Sequence, residues 1–224
     1  MLKNFLLIIL LLFEESYHIS FSTAREVSAF ISSAALYPFG EFTPTPISLT
    51  EDRPILLIHG AGGNRATWYP LMQTLEKHQI GPLYSYNYHP KNRLSALKTA
   101  LAEIRDQATE DIEVILIGHS LGAITACEYA LHPEWHVPGV KIHQIIAIAG
   151  RTSPHANRLH FCFEHLISPL TLIDDQCHTL PLTCIDTDHD WLVPQCHRAE
   201  QTITIPNHSH LSLLFSQKTH HQII

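Results

Sequence analysis

At 224 residues the chain is long enough for one domain with a full hydrophobic core. Its formal net charge of −7, with 45% hydrophobic and 16% charged residues, is ordinary for a globular protein; no basic stripe is present, so no nucleic-acid partner is expected. The five cysteines (Cys127, Cys162, Cys177, Cys184 and Cys196) show no CxxC spacing and cannot all pair within one chain, so they read as buried or free thiols rather than as a redox pair or zinc knuckle.

One lysine stands in residues 1–4, residues 5–13 (FLLIILLLF) are unbroken apolar, and Glu14 and Glu15 end the run. The run is too short to cross a bilayer core as a helix, which takes about 20 residues. It fits the n- and h-regions of a secretory leader, with Ser22 and Ala24 as small residues for a cleavage point. An uncleaved segment lying on a membrane and a buried N-terminal helix are the other readings. The expected organisation is a signal-like or membrane-targeting segment over 1–24 and one domain over 25–224, exported or held at a membrane.

Residues 25–37 read as a helix with Val27, Phe30, Ile31 and Ala34 near one face. Proline and glycine then break the pattern. Residues 54–58 (PILLI) form a short, wholly apolar run suited to a strand buried on both faces. A helix over 66–79 carries Trp68, Leu71, Met72 and Leu75 at helical spacing. A strand is expected over 83–88, and a helix over 93–108 with Leu94, Leu97, Leu101 and Ile104. Residues 113–117 (EVILI) form a second buried strand, from which a helix over 120–131 starts directly. Strands over 142–149, 182–185 and 202–205 follow, and a helix opens over 210–215. Strands alternating with helices predict an α/β fold, with a mostly parallel central sheet flanked by helices.

The junction at residues 118–122 reads Gly-His-Ser-Leu-Gly, matching G-x-S-x-G between a strand and a helix. A chain reversing this sharply leaves the serine strained and its hydroxyl exposed, and side chains at the two glycine positions would crowd the turn. The helix N-terminus behind the serine favours developing negative charge. Directly after PILLI comes His59-Gly60-Ala61-Gly62-Gly63, a loop whose glycines let backbone approach a ligand closely. It lacks the GK[ST] and GxGxxG spacings of phosphate-binding loops.

GHSLGA resembles the nucleophile elbow of the α/β-hydrolase superfamily, bacterial lipases and esterases especially, and the resemblance runs through most of the chain after residue 50. It implies an α/β-hydrolase fold with Ser120 as nucleophile. The backbone N–H groups of Leu121 and, from the HG-x-G loop, Ala61 would form the oxyanion hole. In this family the chain order is serine, acid, histidine. After the strand over 182–185 come Asp186, Asp188 and Asp190; residues 190–194 (DWLVP) resemble the family's D-x-x-V-P segment and select Asp190, with Asp186 as runner-up. Residues 210–214 (HLSLL) resemble its GHLSLL segment and select His210 over His208, although Ser209 stands where that pattern carries glycine. His119 reads as a packing residue of the elbow.

The implied reaction is hydrolysis of a carboxylic ester, from a small molecule or a lipid, through an acyl-enzyme. A thioesterase or acyltransferase of the same fold is the alternative, and a catalytically silent lipid- or partner-binding member is a third. Nothing in the sequence demands a metal or organic cofactor; the 18 histidines show no HExxH spacing. Caps in this fold commonly sit between the strands ending near Ala149 and beginning near Leu182. Residues 150–181 must also carry the crossover, for which 156–167 offer a helix, so only a minimal cap is expected. Short- and medium-chain esters are therefore the expected substrates, with apolar loops around Phe161, Phe163 and Leu170 as the alternative that would form a groove for longer chains.

Overall fold

The computed structural model describes residues 21–41, 53–150, 177–190 and 199–224. Among these residues a six-stranded, wholly parallel sheet has β1 (Ile55–Ile58), β2 (Leu83–Ser85), β3 (Ile112–His119), β4 (Val140–Ile148), β5 (Leu182–Asp186) and β6 (Gln201–Thr204) in the spatial order β2-β1-β3-β4-β5-β6. The helices are α1 (Phe21–Leu36), α2 (Tyr69–Lys77), α3 (Arg93–Arg105), α4 (Leu121–Leu131) and the short α5 (Gln217–His221).

Both faces of the sheet are covered, which is why its central strands are continuous apolar runs. Alternate side chains go to opposite faces. Leu56, Ile58, Val114, Leu116, Ile145, Ala147, Leu182 and Cys184 pack with Leu97, Leu101 and Ile104 of α3 and with Ala123, Ala126 and Cys127 of α4. Ile55, Leu57, Ile117, Ile146, Ile148 and Ile185 pack on the other side with Trp68, with Leu71, Met72 and Leu75 of α2, and with Leu213 and Leu214 near the C-terminus. Each fully buried Leu or Ile side chain contributes about 1.5–3 kcal/mol relative to exposure. Cys127 and Cys184 are buried within the first layer, as expected of them.

The register brings the strand ends together. Ile58 pairs with Gly118, Gly118 with Ala147, Ile148 with Ile185, and Asp186 with Thr204. The loops after β1, β3, β4, β5 and β6 therefore leave along one edge. The chain passes outward from β1 to β2 and returns to β3 on β1's other side, so the crevice between β1 and β3 is the topological switch point where ligands bind in open α/β sheets.

Several elements depart from expectation. Helix α1 runs from Phe21 to Leu36, beginning before the expected start at residue 25. Its buried face is not the apolar stripe: Val27 and Ile31 are exposed (39% and 62%), whereas Glu26 and Ala29 are buried. Strand β2 ends at Ser85 because β1 supplies partners only from Ile55 to Leu57; beyond it Tyr88 turns back onto His59. The expected helix over 210–215 is a single irregular turn, mixing a Leu213 N–H to Ser209 O bond with three-residue bonds at Leu214 and Ser216. Extended Ser216 (φ −81°, ψ 125°) ends that turn and caps α5. The expected helix over 156–167 and the rest of the cap segment over 151–176 lie outside the described residues, as do residues 1–20 and 191–198.

Candidate active site

Strand β3 ends at His119 and α4 begins at Leu121, leaving one residue to reverse the chain. Ser120 does so at φ 53° and ψ −119°, a region that costs a non-glycine residue about 1–3 kcal/mol. The reversal is held by the Ser120 N–H donating to Ile148 O at 3.0 Å and by Ser120 O accepting from the Ala123 N–H at 3.1 Å. Glycine is required on both sides. A Cβ at Gly118 would overlap the Ala123 backbone, and one at Gly122 would overlap the carbonyls of Ile58 and His59. The N–H of Leu121 lies in the first turn of α4, where amides have no intrahelical acceptor and the helix end is electropositive.

The loop after β1 packs directly against this elbow. A Cβ at Gly60 would stand 3.2 Å from Ser120 Cβ and 2.9 Å from His119 Nδ1, so only glycine admits the approach. Ala61 follows, and the turn closes with Gly63 N–H donating to Gly60 O at 3.2 Å. His59 braces the loop from behind. Its Nδ1 lies 2.8 Å from Gly60 O and its Nε2 receives the Tyr88 N–H, which assigns a neutral ring with the proton on Nδ1. Tyr88 stacks on this ring with centroids 4.3 Å apart and donates its hydroxyl to His59 O. Burial lowers the His59 pKa to about 4, so the ring stays neutral at physiological pH.

The loops after β5 and β6 bring Asp190 and His210 together. Asp190 Oδ2 lies 2.8 Å from His210 Nδ1, and the two side chains are only 4% and 9% exposed. With the Nδ1 proton donated to the carboxylate, Nε2 is left with its lone pair. Burial opposes the charged form of His210, but Asp190's charge and hydrogen bond, with Glu26 and Asp186, outweigh it and raise the pKa above 6.5. His119, next to Ser120, joins this loop to the elbow: its Nε2 lies 3.1 Å from His210 O, and the two rings are 5.0 Å apart. Burial, then the charge of His210, depress the His119 pKa to about 3, so it acts as a fixed donor to that carbonyl.

The other candidates occupy different places. Asp188 is exposed and its Oδ1 accepts from the Asn207 N–H at 3.2 Å and the Thr187 hydroxyl at 3.3 Å, fixing the turn before His208. Asp186 is buried at the end of β5, close enough to contribute to the His210 charge balance. His208 Nδ1 donates to Pro206 O at 3.0 Å, and its neighbours in charge are Arg25, Lys218 and Asp188. It is therefore engaged away from Asp190. Residue-level sequence reasoning missed Glu26, whose carboxylate accepts from the Leu211 and Ser212 N–H groups immediately after His210. An acid beside Ala29 on a helix was its only signal, and the apolar stripe of Val27 and Ile31 obscured it. Among the described residues no group of three or more His, Cys, Asp or Glu side chains is arranged to hold a metal ion.

An all-parallel sheet with a strained serine between β3 and α4, and a glycine loop after β1, is the architecture of α/β hydrolases. Residues 55–174, more than half of the chain, match the model of the alpha/beta hydrolase family, and the chain belongs to that family. Solved structures share the fold at low sequence identity. Carboxylesterase CesB (YbfK) from Bacillus subtilis is 14% identical, with a TM-score of 0.52 over 89% of this chain and 95% of its own. A thermophilic esterase from Thermogutta terrifontis is 14% identical, with a TM-score of 0.53 over 76% and 88%. The esterase domain of a Rhodothermus marinus protein is 15% identical, with a TM-score of 0.53 over 80% and 86%. Among curated proteins none matches the sequence significantly.

Proposed function

We propose that the protein is a serine hydrolase of carboxylic esters, working through Ser120, His210 and Asp190. The observation that carries this reading is the buried Asp190–His210 pair at 2.8 Å, tied through His119 to the elbow that strains Ser120. Asp190 would hold the imidazole and balance its charge. His210 Nε2 would take the Ser120 proton as Oγ attacks the ester carbonyl carbon, and the Leu121 and Ala61 N–H groups would receive the oxyanion. The proton then passes from His210 to the departing alkoxide, leaving the acyl group on Ser120. A water, losing its proton to His210, repeats the attack and releases the carboxylic acid. Small-molecule esters suit a family whose structural relatives include carboxylesterases. The apolar run over residues 5–13 supports reading residues 1–24 as a targeting segment for export or membrane attachment.

The test is turnover of a matched ester and thioester by the wild type and by Ser120→Ala. Ester hydrolysis that vanishes with the hydroxyl supports the proposal, a preference for the thioester would move it to a thioesterase, and no turnover above that of the variant would leave a silent binding protein.

A further inference from the structure

Glu26 is a carboxylate brought into the interior by α1, 5% exposed and far in sequence from every residue it serves. One oxygen accepts from the Leu211 N–H at 2.8 Å; the other accepts from the Ser212 N–H at 2.8 Å and from the Leu211 N–H at 3.0 Å. Those amides open the turn that follows His210, so the carboxylate grips the backbone one bond from the imidazole-bearing residue. A buried acid is costly unless hydrogen-bonded and charge-paired, and a structural helix contact would be made more cheaply by an apolar side chain. The placement is specific: both oxygens face amides of one segment, and the histidine of that segment is held by Asp190 on its ring and by His119 on its carbonyl.

We propose that Glu26 is a positioning residue for His210: with His119 and Asp190 it fixes the loop on three sides, and its charge joins that of Asp190 in sustaining the imidazolium formed during the reaction. This rests on the reading of His210 as the base. It also makes α1 part of the active-site wall, although α1 precedes the first strand. Among the described residues, the charged and titratable groups around His210 are Asp190, Glu26 and Asp186, with His119 packed against it. Among the same residues, those acting on Glu26 are His210 and Asp190. Burial raises the Glu26 pKa above 4.5, opposed by the charge of His210 and by the two amide bonds.

The experiment uses the full chain as wild type, Glu26→Gln and Glu26→Asp. The His210 ring is titrated by NMR, assigned through its loss in His210→Asn, and the pH profile of kcat/KM is recorded on p-nitrophenyl acetate. Removing the charge should lower the His210 midpoint by about half a unit or more. It should also reduce kcat roughly tenfold with KM little changed, because the loop is less well placed. Glu26→Asp, which keeps the charge, should recover much of the midpoint. An unchanged His210 midpoint in folded Glu26→Gln overturns the proposal. Should that variant not fold, the wild type answers: the Leu211 and Ser212 amide protons must titrate with the Glu26 carboxyl carbon, and the absence of such coupling overturns it equally. The NMR titration is read whether or not an ester is turned over, so an inactive wild type counts against the esterase reading and not against this coupling.

Discussion

Gly122→Ala adds a single methyl group at the point where α4 crosses the end of β1. The new Cβ would lie 2.7 Å from both the His59 carbonyl oxygen and the Ile58 carbonyl carbon, and closer still to the Ile58 oxygen, where ordinary contact is 3.4–4 Å. All three are backbone atoms of the strand and loop that carry Ala61, so no rotamer change relieves the overlap. Either α4 or the loop after β1 must retreat by about 1 Å, and overpacking of this kind costs about 1–3 kcal/mol. The same movement separates Ser120 from the proposed oxyanion donors, for which a misplacement of about 1 Å costs roughly a hundredfold in rate. Urea unfolding and kcat/KM on a soluble ester measure the two effects in the same samples. A folded variant with wild-type stability and wild-type kcat/KM would refute the idea that this close approach builds the site.

Activity should rise with pH along a limb whose midpoint lies above 6.5, since His210 must be neutral to accept the serine proton and its pKa is raised by acidic neighbours; a flat kcat/KM profile between mildly acidic and mildly alkaline pH would oppose this. Asp190→Asn should lower kcat by about 10³–10⁴, whereas Asp188→Asn, exposed and bonded to Asn207 and Thr187, should stay within a few-fold of wild type; near-normal turnover in Asp190→Asn would transfer the role to Asp186. Glu128→Gln should destabilise the fold by about 3 kcal/mol in chemical denaturation, because Arg93, 2% exposed, loses the carboxylate that meets its guanidinium at 2.6 Å; an unchanged unfolding midpoint would show that the pair is not structural.

The parallel sheet was legible because its strands are buried on both faces and stand out as the apolar runs PILLI and EVILI, separated by helices of clear period. The elbow was legible for a steric reason: the glycines at 118 and 122 lie where backbone approaches backbone, and that need is local. Asp190 and His210 could be placed only through resemblance to family segments, since they stand on separate loops and nothing local in the sequence announces that the folded chain sets them 2.8 Å apart. Glu26 was beyond reach for the same reason in stronger form. Its partners are backbone amides near the other end of the chain, and amides carry no residue identity. The turn after His210 looked helical because its spacing is helical; Ser216, extended, ends it before a full helix forms. The expected inner face of α1 failed because Val27 and Ile31 stay outside while the buried acid bonds inward.

In the proposed chemistry Ser120 is a nucleophile activated by His210. Labelling with a fluorophosphonate, followed by peptide mass spectrometry and with the rate of modification recorded, tests it without knowledge of the natural substrate. The expected result is stoichiometric modification of Ser120 in the wild type, none in Ser120→Ala, and a rate reduced by orders of magnitude in His210→Ala. Modification of a different residue, or an equal rate in folded His210→Ala, would contradict it.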